Sequence, residues 1–231
     1  MNITVFHGSP RKGNTYKATT IFVEEMKKHS DVNITEFFLP ESMPKFCTGC
    51  QLCLSGSNKN CPHHEYVEPI LDAVLQSDAL IFATPHFGGS LMTGAMKNLL
   101  DHLDFLIMNI APRKEVFDKK AFIITTGSGS TATIKPLKKF LKNWGINRVY
   151  SHGIRMFTDK WDKMPAKKQN KEEYKLRKKA KQFYLCRKKK PYISTIFMFY
   201  IFKFIIKKYI GKGNYPYEYW KEHGFFTKRP F

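Results

Sequence analysis

Cys47, Cys50 and Cys53, followed by Cys61-Pro62, gather four of the five cysteines into fifteen residues, spaced Cys-x2-Cys-x2-Cys-x7-Cys-Pro. Three thiolates at every third residue can wrap one compact inorganic core, and a fourth can close over it from a flexible loop, as in cuboidal iron–sulfur clusters. The chemistry this points to is electron transfer. Zinc is the weaker metal, because a structural zinc site pairs two separate Cys-x2-Cys knuckles and these two share Cys50. A disulfide is weaker still. The chain opens with Met1-Asn2-Ile3-Thr4-Val5, which reads as a strand and not as an export signal, so a reducing, cytoplasmic setting is expected. A cysteine-rich loop that binds nothing stays open as the alternative, since the last gap of seven residues exceeds the three of the common bacterial four-iron run.

A second group of residues suits an anion. Gly8-Ser9-Pro10-Arg11-Lys12-Gly13-Asn14-Thr15 follows a short β-rich run and precedes a helical one, so it offers hydroxyls, a guanidinium, an amide and free backbone N–H groups at a helix N-terminus. An ordinary capped turn would account for Asn14 and Thr15 but leaves Arg11 without a role. The spacing fits neither Gly-x-Gly-x-x-Gly nor a Walker P-loop, which disfavours an ATPase or a dinucleotide-fingerprint dehydrogenase. Two more turns resemble ligand loops. Thr84-Pro85-His86-Phe87-Gly88-Gly89-Ser90 joins aromatics to glycines that let backbone approach a flat ring, and Thr126-Gly127-Ser128-Gly129-Ser130 is small and polar. Each alone is matched by a plain strand-to-helix loop; converging on one crevice, they support one another.

The elements that must position these residues alternate. Strands are expected at Ile3 to His7, Val32 to Phe38, Ala79 to Thr84, Ala121 to Thr126 and Arg148 to Met156. Between them run helical patterns: one to about Lys28, Val67 to Gln76, Thr93 to Leu106 with Met96, Leu99, Leu100, Leu103 and Leu106 on one face, and Pro136 to Trp144 ending at Gly145. This is the α/β pattern of a doubly wound, five-stranded parallel sheet, in which ligands bind beyond the carboxyl ends of the strands. All three turns lie there.

Gly8 to Thr15, the Thr84-Pro85-His86-Phe87-Gly88-Gly89 turn and Lys97-x3-Asp101 together resemble the NADPH-dependent FMN reductase family, of flavodoxin-like fold, over about residues 1–158. The cysteine run resembles that of its iron–sulfur flavoprotein branch. The resemblance implies that Ser9, Arg11, Asn14 and Thr15 hold the FMN phosphate. It also implies that Pro85, His86, Phe87, Gly88 and Gly89 line the isoalloxazine, with Thr126 and Gly127 on its other side. It further implies a [4Fe-4S] cluster on Cys47, Cys50, Cys53 and Cys61, NAD(P)H as electron donor, and a homo-oligomer. The chain departs from the family where a tyrosine is usual (His86, Phe87) and where an acidic pair is common (Pro62-His63-His64-Glu65). His63 and His64 are read as solvent-facing, Asp101 and Asp104 as surface or capping charges, and Cys186 as a bystander. No side chain is expected to act as a nucleophile.

Charge divides the 231 residues unequally. Residues 1–158 hold 18 Lys/Arg and 13 Asp/Glu (18 − 13 = +5), and residues 159–231 hold 21 and 6 (21 − 6 = +15). The first part is read as the FMN domain, with its cysteine-rich loop at 47–61, and the second as a basic C-terminal extension. A nearly neutral core argues against nucleic acid as the partner. Within the extension, Tyr192 to Ile206 is almost wholly apolar but falls short of the roughly 20 residues that span a bilayer. A helix docked on the domain or a subunit is the expectation for 192–206, ahead of an interfacial helix contacting an anionic membrane surface. The functional expectation is an FMN-dependent oxidoreductase that moves electrons from a reduced nicotinamide or protein donor to an acceptor. The alternative is a flavodoxin-like electron carrier with no small-molecule turnover.

Overall fold

The computed structural model describes residues 1–29, 31–87, 89, 91–146, 148–186 and 191–231. Five parallel strands form one sheet in the order β2-β1-β3-β4-β5: β1 Asn2–His7, β2 Asn33–Phe38, β3 Ala79–Pro85, β4 Lys120–Gly127 and β5 Arg148–Arg155. Side chains alternate across the pleat, so a strand covered on both faces must be apolar throughout. β3 shows this directly. Leu80 and Phe82 enter one core with Phe6, Ile123, Leu99 and Leu137, whereas Ala79 and Ile81 enter the other with Val5, Phe22, Phe122 and Ile124. From β1 the chain leads to β2 on one side and later to β3 on the other, which opens a crevice beyond the ends of β1 and β3.

The helices follow the expected order with shifted edges. They are α1 Asn14–Lys27, α2 Leu39–Ser42, α3 Leu52–Ser55, α4 His64–Gln76, α5 Gly94–His102, α6 Lys114–Phe117 and α7 Ser130–Asn143. Two starts lie upstream of the sequence expectation, α4 at His64 where Val67 was expected and α7 at Ser130 where Pro136 was expected, and both helices run through a proline, Pro69 and Pro136. A proline ordinarily marks a helix start, but burial of Val67, Ile70, Thr133 and Leu137 carries the helical turn through it. The expected helix to Leu106 is divided: α5 ends at His102 and a 3-10 turn, Asp104–Leu106, follows.

The basic extension forms α8 Ala166–Leu185, α9 Ile193–Ile205 with a π turn at Ile206–Ile210, and α10 Tyr215–Glu222. α8 lies on α1, burying Leu176, Ala180 and Phe183, with the Phe183 ring 5.4 Å from Phe122 and 5.9 Å from Phe22. At its end the Lys120 ammonium donates to the carbonyl oxygens of Phe183, Tyr184 and Cys186, a cation at a helix C-terminus. α9 and α10 build a third core in which Phe199 stacks on Trp220 at 4.9 Å. Tyr219 ties it to the domain by donating to the Pro112 carbonyl (3.1 Å) under the Arg113 guanidinium. Among the described residues no helix is long and apolar enough to cross a membrane.

Candidate functional site

The crevice beyond β1, β3 and β4 holds a cavity of about 390 Å³. Ser9, Arg11, Asn14 and Thr15 line it from the first turn, Pro85 and His86 from the second, and Thr126 and Gly127 from the third. Phe87 is exposed and exchanges backbone hydrogen bonds with Leu91, with Gly89 (φ +72°) in the turn between, so neither lines the cavity. Gly88 and Ser90 lie outside the described residues.

Local chemistry explains why this crevice suits a phosphate. Gly13 precedes α1 with no side-chain cap, and the first helical amide bond runs from Lys17 N–H to the Gly13 carbonyl. The N–H groups of the first turn are therefore left for a ligand oxygen. No ion pair engages Arg11 among the described residues, and Ser9 Oγ accepts from Arg11 N–H at 3.3 Å, folding the turn on itself. Thr15 and Thr126, buried, share a 2.6 Å hydroxyl bond that joins the first turn to the third. His86 N–H donates to the Thr126 carbonyl at 2.8 Å, joining the second to the third. Gly127 sits at φ +130°, where an added Cβ would lie 3.0 Å from His86 Cβ; the close approach and the backbone both require glycine.

Some lining residues were not expected. Met156, Thr158, Asp159 and Lys160 follow β5 and close the cavity, and Asn14 Nδ2 donates to the Asp159 carbonyl at 2.9 Å. Thr158 Oγ1 is buried with no hydrogen-bond partner among the described residues, a donor and acceptor left over for a ligand. His7 and Tyr16 also line the wall. His7 is buried against Phe38 (ring centroids 4.5 Å apart) and bonds Glu36 at 2.8 Å; burial, only partly offset by Glu36, pushes its pKa below 6.5. The cradle thus has free amides, an uncommitted guanidinium and an orphan hydroxyl, a donor set that fits FMN.

The cysteine loop is a separate surface. Cys47 and Cys50 are exposed, Cys53 and Cys61 half-buried, and all are free thiols. Burial is the first cause that pushes the Cys53 thiol up to about 11, and the charges of Cys61, Cys47 and Cys50 push it the same way. Gly49 (φ +67°) and Gln51 (φ +59°) turn the chain back on either side of Cys50. Asn98, buried on α5, holds the loop: its Oδ1 accepts from Cys47 N–H at 2.9 Å and its Nδ2 donates to the Lys45 carbonyl at 2.8 Å. His63 is not solvent-facing. It meets His102 (Nδ1 to Nε2, 3.0 Å), while His64 pairs with Glu68 at 2.7 Å. Cys61, His63 and His102 are the one His/Cys/Asp/Glu set near enough together for a single metal ion among the described residues; a cluster spreads its ligands wider. Asp101 pairs with Lys97, a surface charge as expected, whereas Asp104 is half-buried with its pKa raised, first by burial and then by Asp101. Cys186 meets the Tyr150 hydroxyl at 2.9 Å, away from the loop.

Helix α5 touches both places. Its N-cap Thr93 donates from Oγ1 to the Gly8 carbonyl at 2.6 Å, and five residues on Asn98 grips the Cys47 amide, about 8 Å along the axis. The chain is 30% identical over 97% of its length, and 99% of the relative's, to an iron–sulfur flavoprotein of Clostridioides difficile. It is 30% identical to one of Archaeoglobus fulgidus over 55% of the chain and 60% of that protein. Among solved structures, NADH:FMN oxidoreductase EmoB in its apo form aligns with TM-score 0.57 at 20% identity (82% of this chain, 91% of that one). The NAD(P)H:quinone oxidoreductase of Methanothermobacter marburgensis aligns with TM-score 0.62 at 12% identity (79% and 96%), a likeness of fold. A family model described as NADPH-dependent FMN reductase matches residues 1–156, the span that carries all five strands, the three turns of the crevice and the cysteine loop. The chain therefore belongs to the NADPH-dependent FMN reductase family of flavoprotein oxidoreductases.

Proposed function

We propose that the chain is a cytoplasmic FMN oxidoreductase that takes electrons from a reduced nicotinamide and carries a [4Fe-4S] cluster as its second redox group, for delivery to an acceptor. When bound, FMN supplies a centre that accepts two electrons together and releases them singly. The reading rests chiefly on α5, whose N-cap Thr93 holds the phosphate-side turn and whose central Asn98 holds the cysteine loop, in one rigid element.

The side chains do the positioning. Ser9, Arg11, Asn14 and Thr15 with the first-turn amides would hold the phosphate, and Pro85, His86, Gly127 and Thr126 would bound the ring. Phe87, Gly88 and Gly89 would reach it only as an outer flap. Cys47, Cys50, Cys53 and Cys61 would hold the cluster, with Asn98 fixing the backbone of the first. His86, whose Nδ1 lies 3.2 Å from Thr133 Oγ1, is oriented by that hydroxyl.

The test is an anaerobic absorbance spectrum with iron and sulfide assay, followed by mixing with NADH or NADPH and a small acceptor. Flavin with about four irons and nicotinamide-dependent turnover supports the reading. Bound flavin without nicotinamide oxidation would instead identify an electron carrier that serves protein partners.

A further inference from the structure

The third core leaves half of α9 uncovered. Thr195, Phe199 and Ile206 face inward, but Ile193 (86% exposed), Phe197 (65%), Tyr200 and Phe204 follow one another at helical spacing along the outer side, and Tyr209 continues the row. Lysines lie on that same face: Lys203 stands 5.9 Å over the Tyr200 ring, and Lys208 lies 5.4 Å over Phe204 and 5.6 Å over Tyr209. Beside the start of α9 is a cavity of about 600 Å³ against α7. Its floor is Met108, Ile134 and Met198, and its rim carries Lys135, Lys138, Lys139 and Lys142 with no acidic residue. From Glu173 to Glu218 the chain has 13 Lys/Arg and not one Asp or Glu between them.

We propose that the outer face of α9 with the α7–α9 groove is a docking surface for an anionic phospholipid bilayer. Aromatic and aliphatic side chains with long lysine stems are suited to the headgroup boundary, where rings enter the apolar layer and ammonium groups stay with phosphate. Charge selects the occupant. A second copy would bring the same uncompensated lysines against these, so like charges would meet, whereas an anionic leaflet attracts each of them. Ile193 and the Met108, Ile134 and Met198 floor of the groove distinguish the surface from a nucleic-acid site, which needs cations and stacking groups but no aliphatic floor. The helix lies on the membrane and does not cross it. The consequence is an oxidoreductase held at a surface where lipid-soluble acceptors concentrate; docking itself does not depend on the redox reading.

The full chain, with flavin content monitored, is sedimented with vesicles of phosphatidylglycerol and phosphatidylcholine, and with phosphatidylcholine alone. Binding is expected to the anionic vesicles only and to fall at least tenfold between 0.1 and 1 M salt, as the Debye length shrinks from about 10 Å to about 3 Å. The double variant Phe197→Ser, Phe204→Ser and the triple variant Lys138→Gln, Lys139→Gln, Lys142→Gln should each lose tenfold or more in vesicle affinity. Neither touches the flavin crevice, so flavin content should not change. Absence of anionic-vesicle binding overturns the proposal, as does binding that both variants retain. A Phe197/Phe204 variant that changes oligomeric state while wild type ignores vesicles overturns it in favour of a second copy.

Discussion

Arg11 and Cys50 carry the clearest demands of the two cradles. Arg11 has no ion pair among the described residues at the mouth of a cavity lined by helix-terminal amides, so removing it deletes charge without uncovering a buried partner. Arg11→Ala should weaken FMN binding by roughly tenfold or more, the loss of one charge-assisted contact worth about 1.5–3 kcal/mol. Flavin titration of the apoprotein measures it, and unchanged affinity would sink the phosphate assignment. Among the cysteines the contrast is internal. Cys50→Ser should abolish iron after anaerobic reconstitution, whereas Cys186→Ser, whose thiol meets Tyr150, should leave iron intact. Equal iron in the two variants, or about one zinc in place of iron, would refute the four-cysteine site.

Elements act through their joints. The β4–α7 turn holds Gly127 at φ +130° against His86, so Gly127→Ala would strain the backbone by about 1–3 kcal/mol and displace the residue that bounds the crevice. Flavin affinity and melting temperature should both fall, and retention of either would show that the turn relaxes freely. Helix α8 is joined to β5 by His152 and Glu172, 2.9 Å apart and nearly buried. Burial lowers the His152 pKa below 6.5, a shift that Glu172 only partly offsets. Burial alone would raise Glu172, but hydrogen bonds from Lys175 and His152 hold it below 4.5. In both cases the unfolded chain binds protons more readily, so this joint contributes full stability above about pH 6.5 and loses it as pH falls through 6.5 and then 4.5. The melting temperature should be flat from pH 8 to 7 and decline below 6.5. Burial lowers His7 and His102 in the same way, so His152→Gln should shrink the upper step and not abolish it; an unaltered profile would assign the step to the other two.

At the scale of the whole molecule the extension is structural on its inner side. α8 covers Phe22 and Phe122, and the third core covers Ala111 and buries Trp220. Deleting residues 160–231 would uncover these surfaces and remove Lys160 from the cavity wall. The truncated protein should aggregate or melt lower at any salt concentration, because lost apolar burial is not screened. A truncated form that stays soluble, flavin-loaded and equally stable would show that the extension serves only its outer face.

The sequence by itself determined what is local or periodic. β3 is apolar at nearly every position because both faces are covered, and this reads as a buried strand without a partner in view. The cysteine spacing and the small polar turns announce ligands because their chemistry is complete within a few residues. Tertiary structure decided what depends on chain segments far apart. Thr158 and Asp159 reach the crevice only because β5 ends beside β4, 145 residues after the Asn14 that Asp159 meets. Asn98 in a helix interior carries no mark of the cysteine loop it holds, and His63, just before α4, meets His102 at the end of α5, 39 residues away. The start of α7 moved past Pro136 for the same reason. Burial of a helical face is a nonlocal energy, and it outweighs the local preference that a proline expresses.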